Sequence, residues 1–251
     1  MTKTKHEKPQ KGNPHRLTVK QHVFPAKSIE RFANPQGIVM VADALRKHVR
    51  PAKLGDLIFC ARRAWDQRAE AGYMRRIEDA FQALADKIID GSVSEIGEAE
   101  KLVVNDFYSL WHVRARRRNL KEQDIQMKGV TGENLTPDQA EILESKGIIF
   151  LRKGGKLPTR HINGMQMQIL IDRQVEALAQ AQWGIIQAQE GEFVVPDVPI
   201  HSIVPLTPTR CLVSPAPCGM ILKKNVAEIN RSLITASHEY FFARDFSKCP
   251  S

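Results

Sequence analysis

From about residue 64 to residue 182 apolar positions recur every three to four residues. On either side they come in short runs broken by proline and glycine. The first pattern is that of helices burying one stripe, the second that of short strands. Tyr73, Ile77, Phe81, Leu84 and Ile88 predict a helix over 64–90 that Gly91 stops. Ile96, Val103, Phe107, Leu110 and Trp111 predict a second over 95–118, with Ser94 as its cap. Thr136-Pro-Asp-Gln139 combines an N-cap, a first-turn proline and a capping-box glutamine, and announces a third that ends near Gly147. Met167, Ile171, Val175 and Leu178 mark a fourth over 164–182, and a last helix fits 224–236.

The extended runs are 17–23, 38–42, 148–151 ahead of a Gly154-Gly155 turn, and, after Trp183, 184–187, 192–195, 200–206, 211–214 and 240–243. Pro25 ends the first of these, and 27–32 supplies one or two helical turns. The expected fold class is α+β: central helices packed with short strands from both the N-terminal and the C-terminal regions. Strands from the two ends are expected to share a sheet, which would bring the His22 segment near the Asp197 segment.

Composition changes this picture little, and charge changes it more. The 251 residues are 42% hydrophobic and 26% charged, ordinary for a globular chain with a sizeable core. No apolar run approaches the ~20 residues of a membrane helix, so no membrane partner is expected. The start of the chain lacks the apolar stretch of a secretory signal. Cys60, Cys211, Cys218 and Cys249 form no Cys-x-x-Cys pair and no zinc spacing, and read as reduced thiols of a cytoplasmic protein. No motif names a metal or cofactor. Residues 1–20 hold six lysines and arginines against Glu7 alone, which accounts for +5 of the net +9. The expected division is therefore a disordered basic tail over 1–16 and a single domain over 17–251. Such a tail attracts nucleic acid or nucleotides without sequence choice, or serves only solubility.

Arg114 carries the strongest purely physical argument. It continues the Val103–Phe107–Trp111 stripe by one turn, so the stripe runs from apolar into cationic. A buried guanidinium demands an anion, either a carboxylate such as Glu78 or Asp197 or a bound phosphate. The runs Arg62-Arg63, Arg75-Arg76 and Arg116-Arg117-Arg118 either form a basic face or, with Asp66, Glu70, Glu78 and Asp79 between them, a mixed solvated one. Arg152-Lys-Gly-Gly-Lys156 lacks the full spacing of a phosphate loop. No Gly-x-Ser-x-Gly elbow and no His-Glu-x-x-His helix occurs.

Two distant segments carry a resemblance. One is His22-Val-Phe-Pro25 with Arg31, Phe32 and Ala33. The other is Trp183 to Ala188, Phe193-Val-Val-Pro-Asp197-Val-Pro199 and Val204-Pro-Leu-Thr-Pro208. Together they resemble the domain-of-unknown-function 4238 family, bacterial and phage-type proteins without an agreed activity. The family tends to carry Ser or Thr before the Asp and Asn after it, where this chain has Pro196 and Val198. The resemblance also includes an apolar-Glu pair at Glu78 and an asparagine in the last helix, here Asn230. The leading expectation is a polar pocket around His22, Arg31, Arg114 and Asp197, with Glu78 and Asn230 beside it, for a nucleotide or nucleic-acid phosphate. Its hydrolytic form makes His22 the base and has Asp197 orient it or hold a metal. The alternative is a non-catalytic nucleic-acid- or protein-binding module in which the same residues are structural, His22 as a satisfied buried histidine and Asp197 in an Asx-type turn.

Overall fold

The computed structural model describes residues 6–46, 48–121 and 123–251. Strand β1 (Lys20–His22) is followed at Pro25 by the short helix α1 (Ala26–Glu30) and then by the hairpin of β2 (Ile38–Asp43) and β3 (Val49–Lys53). β4 (Cys60–Arg62) returns to pair antiparallel with β1. The long helical segment expected over 64–90 is three pieces. α2 (Gln67–Ala69) is capped by the Asp66 side chain. A π-type turn follows over Glu70–Met74, broken at Gly72 (φ −97°, ψ −111°), and α3 (Arg75–Asp90) stops at Gly91 (φ 86°). Only glycine enters that left-handed stop without strain.

Helix α4 (Glu98–Arg117) starts later than expected. Its N-cap is Gly97, with no side-chain cap, so Ser94 lies outside it. A ribbon of β5 (Asp124–Gln126) and β6 (Lys156–Pro158) brackets α5 (Pro137–Ser145), which has the capping box of Thr136 and Gln139. The 148–151 run is not a strand: Ile148 and Ile149 are exposed and only Phe150 turns inward. α6 (Thr159–Ala177) begins five residues before the expected Gly164. Gly164 lies inside the helix because α6 presses on the α2 cap: a Cβ there would sit 2.2 Å from Asp66 Oδ1.

Then come β7 (Gly184–Ala188), β8 (Val195–Pro196), β9 (Ile203–Thr207), β10 (Arg210–Val213), β11 (Gly219–Ile221), α7 (Lys223–Ala236) and β12 (Tyr240–Ala243). One sheet has the order β3-β2-β12-β8, so strands from both ends of the chain share it. The second has the order β11-β7-β10-β9, with β11 parallel to β7 and the other pairs antiparallel. The main core lies where α3 and α4 meet the first sheet. Phe242 on β12 is fully buried there against Phe24, Phe32 and Phe59, and Phe81 stacks on Phe107. A further cluster joins Trp65 and Met74 to Leu110 on α4 and Met167 on α6. A third packs α7 on the second sheet through Val226, Leu233 and Phe193.

Residues 6–16 correct the expectation of a disordered tail over 1–16. They lie along the domain as an arm. Gln10 N–H donates to Glu141 at 2.7 Å, His15 Nε2 contacts Asp138 at 2.7 Å, and Leu17 closes the arm in a buried position. Net charge hid this, because the arm is held by polar partners far away in sequence. Residues 1–5 of that tail lie outside the described residues.

Because Phe242 joins rings from three N-terminal segments to the last strand, Phe242→Ala should cost about 3–5 kcal/mol. It should also shift a single unfolding transition, visible by calorimetry, and leave no separately melting half.

Candidate functional site

The residues expected to form one pocket each take a separate partner. His22 ends β1 opposite Cys60, and its Nε2 lies 3.0 Å from the Leu54 carbonyl oxygen. Asp197 follows β8 and is buried. Its two oxygens accept the backbone N–H groups of His238 (2.9 Å) and Glu239 (2.7 Å), which fixes the turn into β12. Burial raises its carboxyl above the usual range against the lowering effect of those amides. Arg31 reaches the exposed Asp86 of α3 at 2.8 Å, beside Lys27. Asn230 is fully buried on α7. Its side chain accepts from Val194 N–H at 3.0 Å and donates to the carbonyls of Glu192 and Pro250, both at 2.8 Å, tying the end of the chain to the second sheet.

Arg114 is 1% exposed. Its Nη1 donates to Glu78 and its Nη2 to Glu70 Oε2 at 3.2 Å, and its guanidinium carbon lies 5.5 Å from the Trp65 ring centre. Glu70 Oε2 also accepts from Trp65 Nε1 at 2.5 Å. Burial works against the cation, but Glu78 and then Glu70 outweigh it and hold the guanidinium above its ordinary value. The π-type turn is what lets carboxylates on both sides of Gly72 reach one arginine. Arg114 and Glu78 therefore form an internal ion pair. The composite pocket of His22, Arg31, Arg114 and Asp197 gives way to four local arrangements.

A different constellation gathers cations. A cleft of about 620 Å³ lies between the arm, α5, the 152–156 turn and the start of α6. Its lining includes Lys8, Arg63, Arg152, Lys153, Lys156 and Arg160, against the acids Glu7, Asp124, Glu133 and Glu141. Arg63 and Arg160 are buried and share the buried Glu144, at 2.7 Å and 2.8 Å. Arg152 Nη1 donates to Asp124 at 2.9 Å. Two guanidiniums meet on Glu7: Arg152 Nη2 at 2.7 and 2.6 Å from its two oxygens, and Arg160 Nη1 at 2.8 Å. Although burial would raise it, the charges of Arg160 and Arg152 pull the Glu7 carboxyl from 4.5 to about 2. His6 beside it is held below its ordinary value by burial and then by Arg62, Lys8 and Arg63.

The sequence pattern did not single out this cleft. Arg152-Lys-Gly-Gly-Lys156 and the Arg62-Arg63 run contribute to it, and the former is a tight turn with positive φ at Gly154 and Gly155 rather than a phosphate loop. Among the described residues, no group of three or more His, Cys, Asp or Glu side chains is gathered to hold a metal ion. Among them, too, no helix is long and apolar enough to cross a membrane. Comparison of the chain with protein-family models, curated proteins and solved structures returns no match.

Arg114→Ala leaves two carboxylates beside an emptied buried site and should cost about 3–5 kcal/mol. Arg31→Ala, which removes a pair with an exposed aspartate, should cost no more than about 1 kcal/mol. Urea titrations of the two variants check the contrast. The depressed Glu7 carboxyl has its own signature. Its contribution to arm attachment is complete above the unfolded value of 4.5 and is lost as the pH falls towards 2. Amide relaxation of residues 8–16 followed by NMR should show the arm loosening within that window and not above it.

Proposed function

We propose that this chain is a non-catalytic module that binds the phosphate backbone of nucleic acid. One observation carries the reading: six cationic side chains from four separated segments line a single cleft. Such an arrangement suits a polyanion, because guanidinium forks take phosphate oxygens in pairs while lysines follow the backbone as point charges. Lys153 and Lys156 are exposed at the rim of the cleft, where a backbone can reach them. The flanking sequence adds Lys3, Lys5, Lys11 and Arg16, which increases the non-specific attraction. Free thiols at all four cysteines fit a cytoplasmic setting. No reaction is assigned. A ring nitrogen of His22 engages a backbone carbonyl, and the Asp197 oxygens accept amide donors, which supports a structural role for both.

Fluorescence anisotropy with labelled single-stranded and duplex oligonucleotides, between about 50 and 200 mM salt, tests the reading. Binding should fall steeply with salt, and the Lys153→Ala/Lys156→Ala double variant should lower the slope by about 1 to 2. A double variant that keeps both the wild-type affinity and the wild-type slope would move the binding surface elsewhere.

A further inference from the structure

We infer that the seat of the Glu7 carboxylate is a phosphate subsite, occupied in this structure by the chain's own arm as an internal stand-in. This rests on the nucleic-acid reading above and names how its central contact is made and controlled. The subsite is built. Arg160 is 1% exposed and Arg63 2%, and the buried Glu144 holds both guanidiniums in place. Arg152 is oriented from its other side by Asp124. Two carboxylate oxygens accept three charge-assisted hydrogen bonds of 2.6–2.8 Å from two guanidiniums. A pair of phosphate oxygens presents the same acceptor geometry to such forks. Arg63 borders the subsite as well, where its Nη1 donates to the Glu7 backbone carbonyl at 3.2 Å while its Nη2 holds Glu144.

The stand-in is removable. None of residues 6–16 is buried, so the arm's withdrawal uncovers little apolar surface. Its attachments are polar: Glu7 in the subsite, and Gln10 and His15 on the Glu141 and Asp138 carboxylates of α5. Glu7 is also the lone acid among the first twenty residues, in an arm whose other charges are cationic. An incoming phosphate therefore displaces the arm's one carboxylate and frees the lysines beside it to contact the same polyanion.

The test compares wild type, Glu7→Gln, Arg152→Ala and, as a control for charge alone, Glu133→Gln. Anisotropy with a labelled single-stranded oligonucleotide should show Glu7→Gln binding about tenfold tighter, because the competing occupied state is removed. Glu133→Gln should change affinity far less, and Arg152→Ala should weaken binding. In the wild-type protein, inorganic phosphate should speed tryptic cleavage after Lys11 and Arg16 relative to chloride at equal ionic strength. This arm holds whether or not a variant folds well. Phosphate-driven release without oligonucleotide binding would keep the subsite and assign it to a free phosphate, overturning the nucleic-acid reading. Oligonucleotide binding that depends on Arg152 but is unmoved by Glu7→Gln would overturn the stand-in and keep the nucleic-acid reading. Binding by no variant, with cleavage indifferent to phosphate, would overturn both.

Discussion

Three arginines, Arg63, Arg114 and Arg160, are almost completely buried, and much of the helical half of the fold is arranged around neutralising them. A guanidinium removed from water without an anion is too costly for a domain of ordinary stability. Carboxylates must therefore be delivered to fixed places. Helix α3 and the π-type turn before it deliver Glu78 and Glu70 to Arg114. Helix α5 delivers Glu144 to Arg63 and Arg160 together, joining the end of β4 to the start of α6. The close approach of α6 to Asp66, which admits no side chain at position 164, belongs to the same region. His161, whose Nδ1 lies 3.4 Å from Asp66 Oδ2, adds a further polar contact across it.

The two arginine sites share chemistry but differ in what carries the counter-charge. Both carboxylates of Arg114 belong to the helical segment that packs on α4, so neither can leave without unpacking the core. Arg152 and Arg160 owe part of their neutralisation to Glu7, on a stretch with no buried residue. Identical hydrogen-bonding groups are thus structural in one place and exchangeable in the other. The distinction comes from packing around the carboxylate, since Arg160 is as enclosed as Arg114. Perturbed ionisation alone would not separate them: burial and opposite charge act on both sites, and only the mobility of the partner decides which can admit a ligand.

Much of the fold was legible because it depends on local periodicity. The stripes of α3 and α4, the Gly91 stop, the capping box at Thr136 and the final helix and strand all follow from side chains within a few turns of one another. Arg114 was legible for the same reason: its burial follows from helical spacing, and Glu78 was one of two carboxylates within reason. The failures share a different cause. Ser94 looks like a cap, but the helix starts beyond it at Gly97; 148–151 looks like a strand, but among the described residues only an isolated bridge of Glu133 with Arg152 touches its end. The start of α6 was missed because an arginine and a histidine at its first turn resemble surface residues, and their burial depends on Glu144 and Asp66, which are distant in sequence. The sheet that joins the two ends of the chain was anticipated, yet it did not bring His22, Arg31, Arg114 and Asp197 into one site. β1, which carries His22, pairs with β4 in a separate ribbon rather than in that sheet, and Arg31 and Arg114 sit on helices.

The arm shows how far composition can mislead about a segment. Few apolar residues and many like charges normally mean that a stretch cannot offset its ordering entropy. Here a single acid among cations meets the guanidiniums of Arg152 and Arg160, and α5 offers Asp138 and Glu141 to the rest of the arm. Order is thus conferred from outside by complementary charge, and it is conditional in a way that a buried apolar contact is not. Screening, protonation or a competing anion weakens it, while a core contact such as Phe242 responds to none of these. A segment whose one carboxylate is held between two guanidiniums of the cleft is in physical terms already a bound ligand. Its effective concentration is set by its tether, and whatever replaces it must overcome that advantage with more contacts.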